Sequence, residues 1–471
     1  ACASRGGVTP PLPRTFIFDS RAGTCYACPA MKIYLESLGC RLNYSEMESL
    51  GRQLTAAGHA LVDAAEQADV CVLNTCAVTG EAGRKSRQTA RRLARNNPAA
   101  RLAITGCYAT LAPEAVAALP NVELVVENRR KEQLAELLQP WSAELDGEQW
   151  RRLAPDAPPH LPGRTRAFVK VQDGCNNRCT FCIVTVARGP ERSRPAVEIV
   201  AEVQRLTAEG FQEAVLTGVH LGGYGLAELP TFSQAGNSAS PLHALVAAIL
   251  AQTELPRLRL SSLEPWDIDP AFFDLWAQSQ GRLCPHLHLP LQSGCDRTLK
   301  RMARRTRTAS FRALVQAARA AIPDLTLSTD MIAGFPGESA ADFEESLRFV
   351  EEMAFAHIHV FPYSAREGTA AASFGGQVPV EERRQRVDAL EAVARRSAEA
   401  VRRSLLGQTR PVLWETLERP ANGAGPLWSG LTDNYLRTHA IAPPGIDLEN
   451  RITPARLTAL DGEVLWGQLG A

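Results

Sequence analysis

Residues 173–182 read DGCNNRCTFC, which places Cys175, Cys179 and Cys182 in a C-x3-C-x2-C spacing just after an apolar run. Thiolates so close together serve as metal or cluster ligands, or as a redox pair. A closed zinc site takes four protein ligands, and the neighbouring sequence offers no fourth Cys or His. One reading is therefore a redox pair of Cys179 and Cys182, and another is an incomplete zinc site. The spacing favours a third: a 4Fe–4S cube held at three corners. Its fourth iron would be open to a small molecule that brings its own ligands. S-adenosylmethionine (SAM) does so through its amino and carboxylate groups.

A second set is scattered through the first third of the chain. Cys40 ends KIYLESLGC, Cys76 ends DVCVLNTC and Cys107 ends RLAITGC. Each follows an apolar run, and a parallel sheet gathers such strand ends into one crevice. The bland alternative is three separate buried thiols, since free Cys is commonly buried. Cys71 lies inside its run and reads as a small hydrophobe. Cys25 and Cys28 form a C-x2-C with no second pair at zinc spacing, so they are not read as a metal site.

These cysteines need elements to position them. Residues 31–153 alternate strand and helix, the pattern of an open parallel α/β sheet. A Pro-rich stretch at 154–163 reads as a linker. Residues 164–406 hold six strand-and-helix repeats and a long trailing helix, which predicts a partial (β/α)6 TIM-like barrel. In such barrels chemistry sits at the C-terminal strand ends, and the 175–182 triad follows the first strand. Residues 407–471 carry short β-type runs with many Gly and Pro, the pattern of a small antiparallel β-barrel. Residues 1–30 differ in composition and precede Met31, which reads as the native start after a non-native or disordered leader.

Bulk composition narrows the class. The chain has 471 residues and 12 cysteines, clustered in motifs rather than spread as a small secreted disulfide scaffold, so a cytoplasmic cluster-binding protein is expected. No run of about 18 apolar residues exists, so no membrane span is expected. Formal net charge is zero, which leaves nucleic-acid binding to local patches. Arg84, Arg87, Arg91 and Arg95 share one face of a predicted helix, without an acidic partner in GRKSRQTARRLAR. They are the candidate RNA contacts, against the bland reading of a solvated face. KRMARRTR (300–307) is a second basic patch.

The motif VKVQDGCNNRCTFCIVTVARGPERSR resembles the radical SAM methylthiotransferase family. Further segments match: LTGVHLGGYG (216–225), RLSSLEP (259–265), HLPLQSGCD (288–296), STDMIAGFPGE (328–338) and HVFPYSAREGTAA (359–371). LGCRLNYSEME, VLNTCAVTGEA and ITGCYA match the family's first domain, and the resemblance spans nearly all of 31–471. It implies two 4Fe–4S clusters, one on Cys175, Cys179 and Cys182 and one on Cys40, Cys76 and Cys107. It implies SAM contacts at Gly218, Gly222, Gly223, Ser262, Glu264, Asp330 and Gly334. One SAM would be cleaved to a radical that takes a hydrogen from carbon. A second would methylate a sulfur held at the auxiliary cluster before transfer.

The terminal barrel resembles a TRAM domain, with Trp428 and Tyr435 either stacking rings or core. The 216–225 and 259–265 segments look most like the branch acting on threonylcarbamoyladenosine beside the tRNA anticodon. Alternatives are the branches acting on isopentenyl-adenosine or on a ribosomal-protein aspartate, or a non-catalytic iron–sulfur RNA-binding protein. Expected partners are tRNA and a flavodoxin- or ferredoxin-type electron donor, with the enzyme a monomer. Cys295 stands where the family often has Ser and is assigned no role.

Overall fold

The computed structural model describes residues 30–142, 165–226, 240–418, 425–443 and 445–470. The leader with Cys25 and Cys28, and the linker at 154–163, lie outside these residues.

The N-terminal unit runs β1 (Lys32–Ser37), α1 (Arg41–Ala56), β2 (Ala60–Leu61), β3 (Val70–Thr75), α2 (Gly80–Asn96), β4 (Arg101–Gly106), α3 (Cys107–Leu111), α4 (Pro113–Ala117), β5 (Val122–Val126) and α5 (Leu134–Ser142). The strands form one parallel sheet in the order β2-β1-β3-β4-β5. β3 is buried along its whole length, as a central parallel strand covered on both faces must be. The predicted alternation is present, and the two-residue edge strand β2 is an addition too short for any periodicity to reveal.

The central unit contains β6 (Arg166–Lys170), β7 (Gln172–Asp173), α6 (Val184–Arg188), β8 (Arg192–Ser193), α7 (Ala196–Ala208), β9 (Glu213–Thr217), α8 (Pro241–Gln252), β10 (Arg257–Leu260), α9 (Asp274–Gln278), β11 (His286–His288), α10 (Asp296–Arg301), α11 (Thr308–Ala321), β12 (Thr326–Ala333), α12 (Ala340–Met353), β13 (His357–Pro362) and α13 (Val380–Ser404). β6, β9 and β10 form one parallel half, and β11, β12 and β13 the other. Single bridges at Leu258–Leu283 and Ser262–His288 join the halves. Among the described residues β6 and β13 do not pair, so the barrel stays open on that side. α1 covers the free edge of β6: Ser45 Oγ donates to the Phe168 carbonyl (2.7 Å) and accepts from the Lys170 N–H (3.1 Å).

Strand alternation decides what faces the lumen. Leu258, Leu287, Leu327, Met331 and Ile358 join the core beneath the helices. Arg259, His286, His288, Ser328, Asp330, His357 and His359 therefore project to the other side. The inside of this barrel is polar.

The C-terminal unit comprises β14 (Thr409–Glu418), β15 (Leu427–Thr432), β16 (Arg437–Ile441), β17 (Ile452–Asp461) and β18 (Val464–Leu469), closed in the order β14-β15-β16-β18-β17. Five strands cannot alternate direction all the way round a ring, so one pairing, β16 with β18, is parallel. This barrel docks across the N-terminal ends of the central strands. Arg257, first in β10, donates to the carbonyls of Pro411 (2.5 Å) and Leu431 (3.2 Å). Arg166, first in β6, pairs with Glu415 (2.7 Å), and Thr326, first in β12, bonds the Asn434 carbonyl.

Tyr435 inserts at this floor. Its ring lies 4.7 Å from that of His286 and faces the guanidinium of Arg259 at 4.7 Å. Trp428 is 4% exposed, inside the terminal barrel. Both aromatics are thus packed, which favours core over stacking rings among the two readings: a small barrel must fill its interior, and a lumen needs a floor.

Trp414 is fully buried in the terminal barrel and donates from Nε1 to Thr453 Oγ1 at 2.7 Å. Trp414→Ala should lower unfolding free energy by about 3–5 kcal/mol, read from the midpoint of denaturant unfolding.

Candidate functional site

Cys40, Cys76 and Cys107 follow β1, β3 and β4, which are neighbours in the parallel sheet, so the three thiols share one end of it. Their loops are held very close. Gly39 has φ +100, and a Cβ there would sit 2.7 Å from Cys76 Sγ. Gly106 has φ +99, and a Cβ would meet the Thr75 carbonyl at 2.3 Å. Only glycine serves at either position. Asn43 and Asn128 approach the thiols, at 3.8 Å from Cys40 Sγ and 3.6 Å from Cys107 Sγ. Burial raises the Cys76 thiol, and nearby Cys40 and Cys107 raise it further. Cys71 is buried inside β3, as read.

Cys175, Cys179 and Cys182 lie in the loop after β7. Burial pushes Cys175 up to about 12 and Cys182 to about 11, with neighbouring thiols adding to both. Thiolates here would need a bound cationic group to offset burial and mutual repulsion. A fourth donor does come close: Cys175 Sγ, a Glu191 oxygen and a His220 nitrogen lie within 4.8 Å of one another. Both His220 nitrogens are engaged, Nδ1 by Glu191 (2.7 Å) and Nε2 by Asp267 (2.6 Å). Burial opposes its charge, but the two carboxylates outweigh burial and raise its pKa to about 9. A doubly bonded imidazolium is a poor metal ligand. Around Cys175 this leaves the three thiols as the available donors, as a cube held at three corners requires.

The predicted SAM contacts fall into three groups. Gly222 and Gly223 pack on the His220 bridge: Cβ atoms there would lie 2.5 Å from Asp267 and 2.6 Å from His220 Nδ1. Gly218 lies beside Gln172, whose Oε1 accepts from the His220 N–H (2.9 Å). Glu264 is gripped by Arg304 at 2.9 and 2.6 Å, and Arg304 Nη1 stands 3.9 Å from Cys179 Sγ. Ser262 Oγ lies 2.6 Å from His288 Nδ1, and His288 Nε2 lies 3.2 Å from Asp330. Gly334 stands apart. Its φ is +73 and a Cβ would lie 2.1 Å from Arg383 Cγ, which accounts for glycine without any ligand.

The basic patches are less free than their sequence reads. On the candidate face Arg84 pairs with Glu81, and off it Arg92 pairs with Glu36, both partners lying outside the arginine stretch. Arg87 donates to Tyr108 Oη at 3.0 Å. Arg91 and Arg95 are exposed. In the 300–307 patch Arg304 is buried on Glu264 and is no phosphate contact. Cys295 is buried, its thiol 3.4 Å from both Asp342 and Glu345.

Between the two cysteine sets lies a buried charge cluster that sequence reading missed. Glu46 of α1 accepts from Lys131 (2.6 Å), Arg188 (2.8 Å) and Lys170 (3.3 Å). Arg188 also binds Asp173 (2.9 Å) and, through Nη2, Asn43 Oδ1 (2.6 Å). Asp173 lies two residues before Cys175, and Asn43 three after Cys40. Burial alone would raise the Glu46 carboxyl, but Arg188, Lys131 and Lys170 together hold it well below the usual carboxylate range.

Two family models match the chain: the uncharacterized protein family UPF0004 over residues 32–127 and the radical SAM superfamily over 169–350. The chain is 35% identical to the threonylcarbamoyladenosine tRNA methylthiotransferase MtaB of Bacillus subtilis, over 86% of this chain and 89% of that protein. It is 34% identical to the MtaB of Chlamydia pneumoniae, over 92% and 97%. It is 33% identical to the tRNA-2-methylthio-N(6)-dimethylallyladenosine synthase of Dictyoglomus thermophilum, over 92% and 98%. The solved radical S-adenosylmethionine methyltransferase TsrM of Kitasatospora setae shares the fold, with TM-score 0.54 at 15% identity, covering 73% of this chain and 77% of that one.

Glu46→Gln leaves Lys131 without its carboxylate and Arg188 and Lys170 sharing Asp173. It should cost about 3–5 kcal/mol in denaturant unfolding. Because the folded-state pKa of Glu46 is depressed, its contribution is fully present above the unfolded value of about 4.3 and is lost as pH falls toward the folded one. The variant should therefore show a shallower loss of stability on acidification below about pH 5 than the unsubstituted protein.

Proposed function

The chain belongs to the radical SAM methylthiotransferase family, and on that premise we propose that it methylthiolates C2 of N6-threonylcarbamoyladenosine at tRNA position 37. Two 4Fe–4S clusters and two molecules of SAM would serve the reaction. The observation that carries this reading is the pair of three-cysteine sets on two facing units, tied together through Glu46 and Arg188. Cys175, Cys179 and Cys182 would hold the cluster that engages SAM, and Cys40, Cys76 and Cys107 the auxiliary one. When bound, such clusters supply single electrons and an open iron, which is the chemistry an aromatic C–H bond without an acidic proton requires.

The surrounding residues have positioning work to do. Glu191 accepts from the Asn176 N–H at 2.9 Å and, through His220, fixes the cysteine loop against Asp267. Gly218, Gly222 and Gly223 let these segments approach the open corner of the triad. Glu264, Ser262 and Asp330 would present oxygen atoms to SAM or the nucleoside. Arg84, Arg91 and Arg95 supply exposed charge for tRNA phosphates.

The polar lumen supports the threonylcarbamoyl branch over the isopentenyl one. Ser262, His288, Asp330 and His359 suit a substituent with ureido, hydroxyl and carboxylate groups.

Mass spectrometry of tRNA nucleosides from strains with and without the gene tests the substrate. The methylthiolated threonylcarbamoyladenosine should vanish on deletion, with its unthiolated precursor accumulating; unchanged levels would end the tRNA reading. Anaerobic reconstitution should load about eight irons per chain. Replacing Cys40, Cys76 and Cys107 together by Ala should reduce this to about four while SAM cleavage persists. Cys179→Ala should abolish SAM cleavage.

A further inference from the structure

The lumen floor holds three guanidinium groups around Tyr435, and only two of them are matched by carboxylates. Arg259 is paired with Glu213 (2.8 Å), and Arg166 with Glu415 (2.7 Å). The third is Arg41, the first residue of α1. Its Nη2 donates to Tyr435 Oη at 2.6 Å, and its Cζ lies 5.3 Å from the ring centroid. Among the described residues no carboxylate pairs with Arg41. It is half-buried, so it is neither fully solvated nor neutralised.

Its neighbours describe a site. The Tyr435 ring that holds Arg41 packs 4.7 Å from His286, whose Nε2 lies 2.9 Å from Ser328 Oγ, and Ser328 stands opposite His357 in the sheet. His359 Nδ1 lies 3.2 Å from His357 Nε2, and its ring centroid 5.8 Å from that of His288. His288 in turn connects to Ser262 and Asp330. Arg41 also directly follows Cys40, one of the auxiliary set. The arrangement is a guanidinium fork, held from behind by a phenol and flanked by imidazoles, between the barrel lumen and the second cysteine set. A fixed, unpaired fork of this kind is the standard partner of a carboxylate.

We infer that Arg41, positioned by Tyr435 at the floor of the histidine-lined lumen, is the anion subsite that receives the carboxylate of the threonyl group on the substrate nucleoside. The inference rests on the proposed function and deepens it. It separates the two ends of the substrate: the base faces the cysteine sites and the amino-acid carboxylate faces the floor. It also makes α1 contribute twice, through Cys40 and through Arg41.

The test compares two anticodon stem-loop RNAs with the reconstituted, full-length enzyme. One carries threonylcarbamoyladenosine; the other carries the same nucleoside with its carboxylate converted to an amide. Both turnover and equilibrium binding are measured. The unsubstituted enzyme should prefer the carboxylate RNA by roughly tenfold or more. Arg41→Gln, with iron content equal to that of the unsubstituted enzyme, should handle both RNAs alike. If that variant fails to load iron, Tyr435→Phe, which releases the guanidinium without altering a residue adjacent in sequence to a cluster cysteine, should narrow the same preference. The proposal is overturned if the unsubstituted enzyme treats the two RNAs equally. It is also overturned if the substituted enzymes keep the full preference. An equal loss on both RNAs with a raised KM for SAM would assign Arg41 to the SAM carboxylate instead, and so refute it. Failure of the unsubstituted enzyme to modify either RNA would sink the proposed function, while the binding comparison would still decide the anion subsite.

Discussion

Both cysteine sets hang on one buried carboxylate. Glu46 sits among Lys131, Arg188 and Lys170, which come from two different units of the chain. Removing four charged groups from water is expensive, and well-packed apolar residues would often hold two faces together equally well. What an ion cluster adds is register: charges and forked donors accept few geometries, whereas apolar faces slide. Arg188 reaches Asn43 on one side and Asp173 on the other, so a shift of either cysteine loop would break a short hydrogen bond. The spacing between the two sets is therefore a property of this cluster rather than of either unit alone.

The rest of the architecture follows from keeping that interface closed and one side of the central barrel open. α1 supplies Glu46, seals the edge of β6 through Ser45, and starts at Cys40. Among the described residues β6 and β13 do not pair, so the β6 edge is covered by α1 rather than by a strand. At the opposite end the terminal barrel closes the floor with Tyr435 and with backbone contacts to Arg257 and Thr326.

The architecture was largely legible because its signals are local. The cysteine spacings lie in short segments, and the strand-helix alternation repeats within tens of residues. What was illegible was non-local. Glu46, Lys131 and Arg188 are far apart in sequence and look like ordinary surface charges until the fold buries them. Glycines misled in another way: Gly222 and Gly223 read as ligand-facing backbone, yet they also clear room for Asp267 and His220, and Gly334 does the same for Arg383. The arginine stretch on α2 was legible as helix and face, but the ion pair of Arg92 with Glu36 was not, since Glu36 lies far away in sequence on β1.

The polar lumen carries a consequence for discrimination. An apolar pocket rejects a substrate bearing extra polar atoms only weakly, because water or a small shift accommodates them. A pocket already lined with hydrogen-bonding groups rejects an apolar analogue strongly, because each unmet group stays desolvated. Here the lining groups are pre-engaged in a chain, Ser262 to His288 to Asp330 and His357 to His359, so a hydrocarbon substituent would not orphan all of them at once. Arg41 is the exception, with only a phenol oxygen as partner and no opposing charge among the described residues. On the reading proposed above, selectivity for an anionic substituent is therefore concentrated in one guanidinium rather than spread over the wall. The residue that carries it adjoins a cluster cysteine, so recognition of the substituent and placement of the base beside the auxiliary site become a single geometric event.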